Sequence, residues 1–152
     1  MEGLERILAE HRFFAGLSDA DHKFIAGCAR NHRFNAGQYL FREGEAANEF
    51  FLVRHGRVAL EILPPGRPPI VFATVGEGDI VGFSWLAPPY RWMFDARAVD
   101  LVRAIGIDAA CLRGKCDADP RLGYEMAKRL MPVLVSRLHA TRLQLLDVYG
   151  SP

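Results

Sequence analysis

The spacing of hydrophobic residues changes period twice along this chain. In residues 3–10, Leu4, Ile7 and Leu8 fall on one helical face. Ser18 can cap a second helix over 19–29, with Asp21 in its first turn, where a carboxylate favours the helix dipole. The apolar turn between them, Phe13-Phe14-Ala15-Gly16-Leu17, reads as a packing element. From Arg33 to Ile107 the pattern shifts to short runs rich in Val, Ile, Phe and Tyr, punctuated by Gly, Pro and Asn. Strands are predicted near 32–35, 38–42, 49–54, 57–63, 69–75, 79–82, 93–98 and 100–107. Eight short strands with regular turns predict a jelly roll, and Pro68-Pro69 marks a sheet edge.

Helical spacing returns after Ile107. Asp108 can cap a helix to about Lys115. Asp119 can cap a long one over 119–149, with Pro120 in its first position and Gly150 past its end. About 30 residues at 1.5 Å rise give roughly 45 Å. Two apolar stripes run along it: Ala127, Leu130, Leu134, Leu138, Leu145 and Val148, and then Met131, Val135, Leu146 and Tyr149. A helix apolar on two sides must be buried on two sides. One face can pack on the sheet, and a symmetric helix–helix dimer covers the other. Pro132 is predicted to kink this helix or split it. The fold class is thus mostly β with flanking helices: a jelly roll with N-terminal helices over 1–118 and a C-terminal dimerisation helix over 119–152.

Composition narrows the functions. Half of the 152 residues are hydrophobic and the net charge is +1, so no global basic field points to nucleic acid. No apolar run reaches the roughly 18–20 residues of a membrane span, and the N-terminus lacks the apolar core of a signal peptide. A cytoplasmic protein is expected. Cys28, Cys111 and Cys116 are too few, and odd in number, for a disulfide framework. Cys111 and Cys116, with four residues between them, are a weak candidate to chelate a metal or to bridge under oxidation. No nucleophile–base pair or carboxylate dyad stands out, which predicts a non-enzymatic protein.

The segment Gly76–Ala98, GEGDIVGFSWLAPPYRWMFDARA, carries the candidate chemistry. It reads as a strand, a glycine turn, a short helical turn stopped by Pro88-Pro89, a basic-aromatic tip and a second strand. A glycine turn opening a short helix gathers backbone N–H groups into a concavity that favours anions. The candidate ligand-binding residues are Gly82, Phe83, Ser84, Trp85, Arg91 and Trp92. Arg91 is either an anion ligand or a surface arginine stacked on Tyr90 and Trp92. Phe83, Trp85 and Trp92 either wall a planar ligand or fill the space one would occupy. Ser84 is expected to cap the short helix, and Arg97 to face solvent or pair with Asp79 or Asp95.

The chain resembles the cyclic nucleotide-binding domain of the Crp/Fnr class. The resemblance rests on Phe14–Ser18, Ala36–Phe41, Glu43-Gly44, Phe50–Val53, His55–Val58, Gly78–Gly82 and Ala96-Arg97-Ala98. It implies a phosphate-binding cassette over Gly82–Ala98, a small ligand in the jelly-roll cup (cAMP, cGMP or another anion), and a homodimer through the last helix. Two departures stand out. Where ligand-binding members place the glutamate that accepts the ribose hydroxyl, this chain has Phe83. Counting on to the family's phosphate-binding arginine lands on Met93, with Arg91 two positions earlier in a cassette about one residue short. An unpaired ribose hydroxyl costs about 1–3 kcal/mol and a lost charge-assisted bond about 1.5–3. Micromolar affinity is itself only about 8 kcal/mol. No helix-turn-helix follows the long helix, so DNA binding by this chain alone is not expected, and an effector protein must take the signal. The alternative is a ligand-free interaction module whose pocket is filled by aromatic side chains.

Overall fold

The computed structural model describes residues 2–150. Helix α1 (Glu2–Glu10) and helix α2 (Asp19–Gly27) lead into eight strands: β1 (Ala29–Phe34), β2 (Tyr39–Phe41), β3 (Glu49–His55), β4 (Val58–Ile62), β5 (Ile70–Val75), β6 (Ile80–Val81), β7 (Asp95–Ala98) and β8 (Val102–Asp108). A single 3-10 turn, Ser84–Leu86, interrupts them between β6 and β7. Helices α3 (Ala109–Ala118) and α4 (Pro120–Gly150) follow.

The strands form two antiparallel sheets, ordered β1-β8-β3-β6 and β2-β7-β4-β5. This is the jelly roll that the turn spacing predicts, and β5, which follows Pro68-Pro69, is an edge strand. Two of the capping signals act as expected. Ser18 Oγ accepts from the Asp21 amide at 3.1 Å, and Asp108 accepts from the Cys111 amide at 2.9 Å. The Phe13–Leu17 turn packs, with Phe14 fully buried.

Alternation along β3 divides the molecule. Phe51 points into the cup between the sheets, where it meets Phe34 and Phe41. Its neighbour Phe50 points the other way, toward the helices, and stacks on Trp85 at 4.6 Å.

Of the two outcomes expected at Pro132, the split does not occur: α4 runs through it as one helix, because the tertiary contacts of its first half offset the loss of one backbone bond. Its buried face is Leu122, Met126 and Leu130, continued by Val133 and Arg137, which donates to the Ile80 carbonyl at 2.9 Å. Leu134 and Leu138 of the first stripe are exposed with Met131, Val135 and Leu146, since helical spacing groups residues by face but does not say which face meets the fold. The stripe residues Leu145, Val148 and Tyr149 lie outside the described side chains.

The cysteines depart from the expectation, which ruled out a disulfide framework and set Cys111 beside Cys116. Cys28, which closes α2, forms a disulfide with Cys111 in the first turn of α3, their Cα atoms 6.1 Å apart. Cys116 is the buried free thiol. The partners lie 83 residues apart, so only the fold brings them together.

Candidate functional site

The cassette begins at Gly82, whose φ of +98° excludes most side chains. An ideal Cβ there would meet Trp92 ring carbons at 2.5 and 2.6 Å. Trp92 is thus seated directly over the glycine. It is 2% exposed and stacks on Phe41 with 4.0 Å between ring centroids. Phe41 also stands 5.7 Å from Phe94, and Phe94 5.9 Å from Phe83. These rings occupy the cup between the two sheets.

Backbone pairing fixes Trp92 in this seat. Its amide donates to the Glu45 carbonyl at 2.9 Å, and its carbonyl accepts from the Gly44 amide at 2.8 Å. The turn before it is held by Tyr90, whose carbonyl accepts from the Ala47 amide at 2.7 Å. Tyr90 itself adopts a left-handed φ of +57°. Arg91, between them, is exposed and donates Nη1 to the Gly44 carbonyl at 2.9 Å. A guanidinium carries five donors, so this bond leaves others free.

The remaining candidates divide between two faces of the fold. Phe83 is half-buried at the mouth of the cup. Ser84 is buried as the first residue of the 3-10 turn. Phe83 precedes that turn without a side-chain cap, so the expected Ser84 cap is absent. Trp85 is fully buried, but against Phe50 on the helix-covered face. It does not share a wall with Trp92, which lies six residues beyond the 3-10 turn, next to the isolated bridge between Arg91 and Ala46. Arg113 of α3 donates to the Trp85 carbonyl and lies over the Tyr90 ring at 4.1 Å.

Arg97 also departs from expectation. It grips Glu61 with Nε at 2.9 Å and Nη2 at 2.7 Å, both to Oε2. Asp79 pairs instead with Arg12, and Asp95 with Arg42. The register explains this: Arg97 lies opposite Ala59 on β4, two residues from Glu61 on the same face. Glu61 is 2% exposed, and its Oε1 has no partner.

Two cavities border the cassette. One, of about 470 Å³, opens beside Trp92 and is walled by Phe41, Phe51, Glu45 and Glu49. Its two carboxylates disfavour a phosphate. The other, of about 370 Å³, lies between the cassette turn and α4. Phe83, Leu86, Pro88 and Met93 form one wall, Leu130 and Leu134 the other, and Arg91 stands at the rim. Sequence reasoning missed this cavity, whose walls lie some 40 residues apart in the chain. The signal that could have found it was the apolar excess on α4 opposite the Pro-Pro turn. Among the described residues no cluster of three metal-binding side chains occurs, and no helix is long and apolar enough to cross a membrane.

A jelly roll carrying a glycine-opened cassette and a long terminal helix defines a regulatory domain of the cyclic nucleotide-binding type. The model of the cyclic nucleotide-binding domain matches residues 31–119, and the chain belongs to that family. It is 24% identical over 145 residues to the CRP-like cAMP-activated global transcriptional regulator of Mycobacterium tuberculosis, covering 95% of this chain and 63% of that protein. The chain therefore spans less than two thirds of that curated relative. A cyclic nucleotide-binding-type protein from Geobacter metallireducens superposes with a TM-score of 0.79 at 31% identity, over 91% of this chain and all of the other. The sensor domain of the transcriptional regulator DNR from Pseudomonas aeruginosa superposes at 0.74 and 19% identity, over 91% and 95% of the two chains, a likeness of fold.

Proposed function

We propose that this chain is a non-enzymatic sensor module that binds a small amphipathic carboxylate between its cassette turn and α4. The observation that carries this reading is the 370 Å³ apolar cavity with Arg91 at its rim. One wall is the family's ligand-binding segment and the other is the helix that would transmit the signal. A ligand there touches Met131 and Leu134, which border the exposed apolar stripe of Val135, Leu138 and Leu146. That stripe is suited to a second copy of α4, so the active form is a homodimer and its output goes to a partner protein. The cup itself is occupied by Trp92 and its stacked neighbours, and Phe83 cannot accept a ribose hydroxyl.

Thermal-shift and calorimetric titration with decanoate tests this. Decanoate offers about eight methylenes at roughly 0.8 kcal/mol each, and a bond from Arg91 to its carboxylate adds about 1.5–3 kcal/mol. Saturable binding that weakens at least fivefold in Arg91→Ala and disappears in Leu134→Trp is expected. Absence of any saturable response in the wild type would overturn the ligand reading and leave a ligand-free interaction module.

A further inference from the structure

The geometry points to Cys28 and Cys111 as a reversible thiol–disulfide exchange site that sets the rigidity of the cassette turn. This goes beyond the ligand reading and does not rest on it. The bridge joins two element ends. Cys28 is the closing residue of α2, and its carbonyl accepts from the Asp108 amide at 2.8 Å. Cys111 lies in the first turn of α3 and is exposed. A sulfur in the first turn of a helix becomes a stabilised thiolate when released, because the unpaired N–H groups and the dipole favour negative charge. The bridge borders an open cavity of about 480 Å³, which also presents Arg30 and Asn48. That space admits an attacking thiolate at the exposed Cys111 sulfur; Arg30 there is paired with Glu49, which lines the cavity together with Asp108.

The link to the cassette is short. Two residues beyond Cys111, Arg113 donates to the Trp85 carbonyl and covers the Tyr90 ring. Both contacts fall on the turn that positions Arg91 and Trp92. With the bridge closed, the first turn of α3 is fastened to the end of α2, and Arg113 is held in register. With it open, that end of α3 is held by the Asp108 cap and local packing, and ends so held fray first. Cys116 takes no part: it is buried, and burial pushes its thiol up to about 11.

The exchange balances with a dithiol as reductant. One of its thiolates attacks the exposed Cys111 sulfur, and the Cys28 sulfur leaves as a thiolate and takes a proton. The second thiol of the reductant then attacks the mixed disulfide. This releases Cys111 as a thiol and the reductant as a cyclic disulfide. Two electrons pass to the protein, and a small-molecule disulfide reverses the step.

The test uses the full chain, oxidised with glutathione disulfide or reduced with dithiothreitol. Alkylation followed by mass spectrometry reports the thiols, and amide hydrogen exchange reports the turn. The expected result is protection of Cys28 and Cys111 from alkylation after oxidation, and their labelling after reduction. Exchange at Ala87, Tyr90 and Trp92 should rise at least threefold on reduction, with β4 unchanged. Arg113→Ala should raise the same amides in the oxidised protein. Cys28→Ala should match the reduced wild type, and the wild-type comparison stands alone should this variant fail to fold. Labelling of both cysteines after oxidation would overturn the site. Unchanged exchange over 84–92 on reduction would overturn the coupling.

Discussion

Gly82→Ala tests the seat of Trp92 through a single methyl group. Two costs combine at this position. The backbone φ is +98°, and a left-handed conformation costs an L-residue about 1–2 kcal/mol. The added Cβ would also lie 2.5 Å from the Trp92 ring, and forcing a methyl into a packed core costs about 1–3 kcal/mol. Together they give about 2–5 kcal/mol, a large share of the roughly 5–15 kcal/mol that stabilises a domain. The two parts separate in a double-mutant cycle with Trp92→Leu, which removes the ring carbons that the methyl would strike. Steric relief should appear as a favourable coupling of about 1–3 kcal/mol, while the backbone cost persists. Urea unfolding followed by circular dichroism measures all four proteins, and Trp85 remains as a fluorescent reporter in each. Additivity of the two substitutions within about 0.5 kcal/mol would refute the packing of Trp92 against Gly82, and with it the filled cup.

Other perturbations probe separate parts of the structure. Arg97→Met leaves Glu61 buried and uncompensated, which should cost about 3 kcal/mol, the low end for breaking a buried pair because Arg97 is a third exposed. Adding Glu61→Leu should recover most of that loss in the same urea assay. Arg121 holds Asp21 with two bonds, at 2.8 and 3.0 Å, and this pairing lowers the Asp21 pKa. A depressed carboxylate stabilises the fold above its unfolded pKa of about 4, and that contribution is lost as pH falls through the lower folded value. Stability measured from pH 6 to 2 should therefore fall less steeply below pH 4 in Arg121→Ala than in the wild type. Val135→Asp with Leu138→Asp should convert a dimer into a monomer in sedimentation equilibrium, and a monomeric wild type would remove the dimer from the account.

Much of the fold is legible in the chain because its punctuation is local. Gly37, Gly44 and Gly56 adopt positive φ at the turns their spacing marks, and Ser18 and Asp108 cap the helices they precede. The N-terminal position of Pro120 likewise marks the start of α4. The site is less legible, because its contacts join distant segments. Trp85 and Trp92 are seven residues apart and look alike in sequence, yet Trp85 sits in the 3-10 turn against the helices, whereas pairing with Gly44 and Glu45 seats Trp92 in the cup. Arg97 finds Glu61 through strand register, and Cys28 finds Cys111 because β1 pairs with β8 from Ala29 opposite Ile107. The exposure of Leu134 and Leu138 follows from which face of α4 meets the fold, the one carrying Val133 and Arg137, and periodicity does not encode that choice. Phe83, by contrast, is informative as a single letter, since the resemblance aligns it with a glutamate of ligand-binding members and a phenylalanine accepts no hydrogen bond wherever its ring points.

The central claim is that aromatic side chains have taken the cup that a cyclic nucleotide would fill. Calorimetric titration of the wild-type protein with cAMP, repeated with cGMP, tests it most directly. The account expects no saturable heat for either nucleotide at concentrations up to about 1 mM, which corresponds to less than about 4 kcal/mol of binding free energy. A stoichiometric isotherm with a micromolar Kd would contradict it, since Trp92 would then have to leave its stack on Phe41 to admit the ligand.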